Sequence, residues 1–235
     1  MREIKVFHGS DHILKEPYYM GGKDDNDYGN GFYTTEYEER AVSWAVLNGK
    51  PENSIVNIYR LNMDGLNILD LNSCGILAWI AEVVANRGTN QESTGIVGQE
   101  LVRLYRPQTD QADIIKGYRA DDSYTQVIEA FLLNQINISE VERMFYKGSL
   151  GNQIFLKSPR AFEHIRWEAA YSVTEQGTEG NEDMKARREV NRFLSERTKA
   201  ILVNGYQVPG ITARYAINHP LVYHKEEDYY DNPGL

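Results

Sequence analysis

With 235 residues and a formal net charge of −9, the chain is long enough to bury a sizeable core. It is too acidic as a whole to hold nucleic acid by electrostatics, although a local basic patch stays compatible with it. One cysteine, Cys74, excludes an intrachain disulfide and fits a reducing compartment. The opening "MREIKVFHGS" lacks the apolar stretch of a secretion signal, and no run approaches the length that spans a bilayer. A soluble cytoplasmic protein with no membrane partner is the expectation.

Taken in chain order, "EIKVFHG" alternates as a strand does, with Ile4, Val6 and His8 on one face, so His8 points inward at the strand end. "DYGNGFYTT" follows. Gly29 and Gly31 flank Asn30 and precede a short aromatic strand. Two glycines this close read either as a tight turn or as a backbone that must approach a flat ligand. Thr35 with Glu38 has capping-box spacing and opens a helix through "AVSWA". Trp44 shares a face of that helix with Tyr37, Ala41 and Ala45, so an ordinary core role is open to it.

"SIVNIYRLN" reads as a strand, and "SCGILAWIAEVVANRG" as a helix with Ile76, Ile80, Val83 and Val84 as its apolar stripe. "ADIIKGY", "NQIFLK" and "RWEAAYSV" supply further strands. Ser123 with Gln126 and Ser139 with Glu142 have capping-box spacing, and Ser158-Pro159 sets a cap before a proline at the first helical position. Asp121 and Asp122, just ahead of Ser123, read equally as favouring a helix N-terminus and as free carboxylates for a polar cleft. "TEQGTEGNED" at 174–183 is a linker, and 184–204 is a helix stopped by Gly205. That helix buries Val190, Phe193, Leu194 and Ile201 and keeps its arginines and lysines in water. An acidic tail ends the chain.

Strands scattered irregularly among helices argue α+β. The division is one domain over 1–173, a linker over 174–183, and a C-terminal helix with acidic tail over 184–235. No P-loop, helix-opening GxGxxG, HExxH, CxxC or GxSxG is present, and the histidines have no partners at metal spacing, so no metal is expected.

The inward "HGS", then "YGNGFYTT", then a helix ending in "AVSWA", resemble the ADP-ribosyltransferase fold, in the His-Tyr-Glu branch of diphtheria toxin and the poly-ADP-ribose polymerases. "YGNGFYTT", "IIKGYRADDSY" and "GSLGNQIFLKSPRAFEHI" are similar to an uncharacterised bacterial family held to be of this type, over about residues 3–170. The resemblance implies a core of two small packed sheets with peripheral helices. It also implies NAD as substrate, a protein or nucleic-acid acceptor, and a toxin encoded beside a small antitoxin-like partner. Gly9 would offer its backbone N–H and C=O to the carboxamide of NAD, with Ser10 adding a hydroxyl. His8 would bond a ribose hydroxyl, and Tyr33 and Trp44 would sandwich the nicotinamide. Gly31 would admit the ligand, and Arg119 would meet either an aspartate or the pyrophosphate. Where the family pattern has its catalytic glutamate, this chain has Gln153. A glutamine bonds a hydroxyl but brings no charge, so Gln153, Tyr33, Asp121 and Asp122 form the candidate catalytic set. The readings are a mono-ADP-ribosyltransferase, a slow NAD glycohydrolase, or a binding module of the same fold; a basic RNA 2′-phosphotransferase pocket is disfavoured by the acidic balance.

Overall fold

Alternation along Glu3–Ser10 (β1) sorts its side chains onto two faces that are both apolar. Val6 packs with Tyr59 and Leu61 on one, and Phe7 with Val56 and Ile58 on the other. A strand covered on both sides must lie between layers. A computed structural model describes residues 2–48, 53–120, 122–147, 152–173 and 182–220. Its architecture is α+β, with two small sheets and helices around them.

The first sheet is antiparallel, in the order β1, β3 (Ile55–Asn62), β7 (Ile165–Ser172). Helix α1 (Glu38–Asn48) covers its outer face through Ala41 and Ala45. The second sheet runs β2 (Phe32–Thr34), β6 (Asn152–Leu156), β5 (Ile114–Tyr118), β4 (Ile68–Asp70). Its first three strands pair antiparallel and β4 joins β5 in parallel. Period two divides this sheet as well. Phe32, Ile114, Ile154 and Leu156 meet the first sheet, whereas Tyr33, Ile115 and Phe155 face the helices. Each fully buried Leu, Ile or Phe contributes about 1.5–3 kcal/mol to holding these layers.

The helical layer comprises α2 (Ile76–Arg87), α3 (Glu92–Tyr105), α4 (Asp122–Leu132), α5 (Ile138–Lys147), α7 (Glu182–Asn204) and α8 (Ala213–Asn218); the short α6 (Pro159–Glu163) links β6 to β7. Every residue from Ile76 to Val84 is buried, so α2 is covered all round and the expected one-sided stripe is only part of it. Ser158 caps α6 through Ala161 N–H at 3.2 Å with Pro159 at the first position, as expected. Three other caps differ from expectation. Helix α1 starts at Glu38, and Thr35 Oγ1 takes the Tyr37 N–H instead of capping a box. Helix α4 starts at Asp122, which puts Ser123 inside it. The reciprocal box on α5 is Asn137 with Glu140, at 2.9 and 3.0 Å, and Ser139 lies within the helix.

Gly205, at φ +65°, ends α7 as expected. Val190 is buried there, and Phe193 and Leu194 pack on the main cluster, while Ile201 is half-buried. Arg197 leaves the solvated face: it pairs with Glu140 and lies over the Phe193 and Tyr206 rings. Most of the expected linker and the whole acidic tail after residue 220 fall outside the described residues, and Glu182 and Asp183 belong to α7. Among the described residues, no helix is long and apolar enough to cross a membrane.

Candidate functional site

The site begins where the two sheets touch. Phe7 of β1 exchanges both backbone hydrogen bonds with Thr35, just past β2, at 2.8 and 3.0 Å. That bridge joins the two strands, and no Gly9–Tyr33 pair follows it among the described residues. A strand turns alternate peptide groups to opposite edges, so Gly9 presents its N–H and C=O on the same edge as Phe7. The next acceptor on β2, the Tyr33 carbonyl, is taken by His8 Nδ1 at 2.7 Å. The His8 ring thus replaces a rung of the ladder, and the Gly9 amide, buried on the same edge, makes no backbone hydrogen bond to β2 among the described residues.

A carbonyl partner makes Nδ1 the protonated nitrogen of His8, so Nε2 keeps its lone pair. The ring lies 4.6 Å from that of Phe32. Burial lowers its pKa from 6.5 to about 4 against the Tyr33 carbonyl, which raises it, and His12 repulsion lowers it further. Neutral His8 can accept a hydroxyl. Ser10 is committed to the turn after β1: Oγ donates to the His12 carbonyl at 2.6 Å and accepts from Asn57 at 3.0 Å.

Gly9 packs directly on α1, because a Cβ there would overlap the Ala41 carbonyl and the Ala45 nitrogen and lie 3.0 Å from Trp44 Cβ. Trp44 therefore adjoins Gly9. It is only 7 % exposed, and its indole N–H has no acceptor among the described residues. The Arg119 guanidinium lies over its ring at 5.2 Å. Tyr33 packs on Phe155 at 4.7 Å and on Tyr28 at 6.3 Å, and no ring contact joins it to Trp44 among the described residues. Its hydroxyl donates to the Gly29 carbonyl at 2.7 Å and accepts the Tyr28 N–H at 3.0 Å, so the glycine loop is folded around it. Burial raises the Tyr33 pKa, which keeps the phenol protonated. Gly31 makes a close approach to β6, since a Cβ there would meet the Phe155 ring and the Leu156 carbonyl.

Gln153 shares the Tyr33 face of the second sheet, two residues from Phe155, the cross-strand partner of Tyr33. It is 3 % exposed. Its Nε2 donates to Asp27 Oδ2 at 2.6 Å and to the Tyr118 carbonyl at 3.3 Å. Asp27 was not among the expected site residues. It is 6 % exposed and also receives Arg87 Nη1 on Oδ1 and the Ala120 N–H on Oδ2, each at 2.8 Å. Burial raises the Asp27 pKa, opposed by Arg87 and the other donors. Three donors and no acceptor suit the ionised form. Tyr28 OH and Trp79 Nε1 close the network on the Tyr118 carbonyl. Asp121 lies outside the described residues, and Asp122 begins α4.

A hollow of about 410 Å³ lined by Lys15, Phe162, Arg166 and Trp167 lies elsewhere, at the end of the first sheet away from Gly9. Residues 4–167 match the family described as "Protein of unknown function (DUF3990)", and the chain belongs to that family. No curated protein and no solved structure matches it.

Proposed function

We propose that the protein is an NAD-dependent mono-ADP-ribosyltransferase acting in the cytoplasm, with a toxin or defence role and a macromolecular acceptor. The observation that carries this reading is the interrupted ladder: His8 takes the Tyr33 carbonyl, and the Gly9 amide on the same edge has no rung to β2 among the described residues. A carboxamide needs one donor and one acceptor side by side, which a strand edge supplies. Gly9 would hold that group, neutral His8 would accept a ribose hydroxyl at Nε2, and the exposed part of the Tyr33 ring would lie against the nicotinamide. In the reaction the bond between ribose C1′ and the nicotinamide nitrogen breaks, and its electron pair leaves with neutral nicotinamide. An acceptor nucleophile then bonds C1′ and loses a proton. Between these steps positive charge develops on the sugar, and a preorganised acceptor beside it lowers the barrier.

A second reading, a non-catalytic module that binds NAD or ADP-ribose, is favoured by the uncharged Gln153 with its N–H groups committed to Asp27 and Tyr118. Incubation of the chain with adenine-labelled NAD and a cell extract separates the two. Label on a macromolecule supports transfer; NAD bound but unlabelled extract supports the module.

A further inference from the structure

Asp27 is a buried carboxylate bonded directly to Gln153, and its partners define what it does. Both hydrogens of Gln153 Nε2 go to acceptors, Asp27 Oδ2 and the Tyr118 carbonyl, so the amide has one orientation. The nitrogen points into the interior, and Oε1 is turned away from Asp27. An N–H that donates to a carboxylate polarises its amide and makes the oxygen a stronger acceptor. Arg87, from the last turn of α2, and the Ala120 N–H hold the carboxylate in place from two other elements.

We propose that Asp27 is a positioning residue of the candidate site: it fixes and polarises the Gln153 amide, so the negative charge sits one hydrogen bond behind position 153. This rests on the transferase reading. It explains why a glutamine stands on β6. A glutamate there would bring two buried carboxyl groups to about the 2.6 Å now spanned by the Asp27–Gln153 bond, and two carboxyl groups so placed share one proton. Gln153→Glu by itself therefore adds no useful anion. The exchange Asp27→Asn/Gln153→Glu moves the charge forward by one hydrogen bond and keeps a donor facing a carboxylate.

The test uses the full chain and four proteins: wild type, Asp27→Asn, Gln153→Glu and the double variant. Thermal unfolding midpoints and nicotinamide release over a range of NAD concentrations are measured on each. Asp27→Asn lowers kcat about 10–100-fold with KM within about threefold, a split that a purely structural role would not give. Gln153→Glu lowers the midpoint without raising turnover. The double variant recovers part of the lost midpoint and exceeds the turnover of Gln153→Glu by about tenfold or more. Shifts in midpoint that simply add, or an Asp27→Asn variant altered in KM alone, overturn the proposal. The comparison of the double variant with Gln153→Glu stands even where Asp27→Asn alone does not fold. A wild type that releases no nicotinamide removes the transferase reading, and the midpoints still decide whether positions 27 and 153 act as a pair.

Discussion

Lowering the pH should destabilise the fold through His8. Its Nδ1–H is fixed on the Tyr33 carbonyl and its ring is enclosed against Phe32, so the folded protein resists a second proton. The pKa falls from 6.5 to about 4. Above pH 6.5 the ring is neutral in both folded and unfolded chains and costs nothing. Between 6.5 and about 4 the unfolded chain takes up a proton and the fold does not, so stability is lost as pH falls, and below about 4 the penalty is complete. At about 1.36 kcal/mol per pKa unit the full difference is about 3 kcal/mol, a ceiling because the residue keeps some contact with water. The perturbation is His8→Asn, whose Nδ2 can donate to the same carbonyl but does not titrate. Urea unfolding of both proteins at several values from pH 7.5 to 4 gives the difference directly, since carboxylates elsewhere act alike in each. The wild type should lose about 2–3 kcal/mol more than the variant over this range. Parallel stability curves would refute the reasoning and show that the ring protonates freely in the fold.

Gly9→Ala forces a Cβ onto the backbone of α1 and should cost about 1–3 kcal/mol or more by denaturant unfolding, with NAD affinity falling as well; unchanged stability would mean α1 does not pack there. Tyr33→Phe leaves the Gly29 carbonyl and Tyr28 N–H without their partner, for a loss of about 1–3 kcal/mol, yet it keeps the ring and so NAD affinity by calorimetry should hold. Tyr33→Ala should weaken NAD binding itself. Arg119 lies over the Trp44 ring, so a ligand that stacks on that face must displace the guanidinium. NAD should then change tryptophan emission in the wild type and not in Trp44→Phe.

Much of the layering is readable in the chain because it depends on short-range alternation. β1 forms where apolar residues alternate, β3, β5, β6 and β7 where β-branched and aromatic residues are concentrated, and Gly205 stops α7 as a left-handed residue does. β4 is three residues long, too short for a period to register, and is held by its parallel pairing with β5. The cap on α5 lies two residues before Ser139 because "NISE" offers both an Asn and a Ser whose side-chain oxygen can accept a first-turn N–H, and only packing selects Asn137. The candidate site divides in the same way. His8 at the inward end of β1 is legible from alternation, whereas the role of the Gly9 amide comes from the family resemblance. Asp27 is not legible: its partners lie 60, 93 and 126 residues away, and nothing local marks it except its place at the head of "DYGNG". Arg119 over Trp44 likewise depends on how β5 ends beside α1, a relation between layers that no window of sequence contains.

The most direct measurement of the central claim is nicotinamide release from NAD by the purified chain, followed over time by chromatography, with Gln153→Ala beside it and a chelator in a parallel sample. The sequence offers no ligand cluster at metal spacing, so chelator is expected to leave the rate unchanged. The account predicts slow release by the wild type, faster when an acceptor-containing extract is added, and a kcat lowered about 10-fold or more in Gln153→Ala at nearly the same KM. No nicotinamide from the wild type in the presence of extract would contradict it.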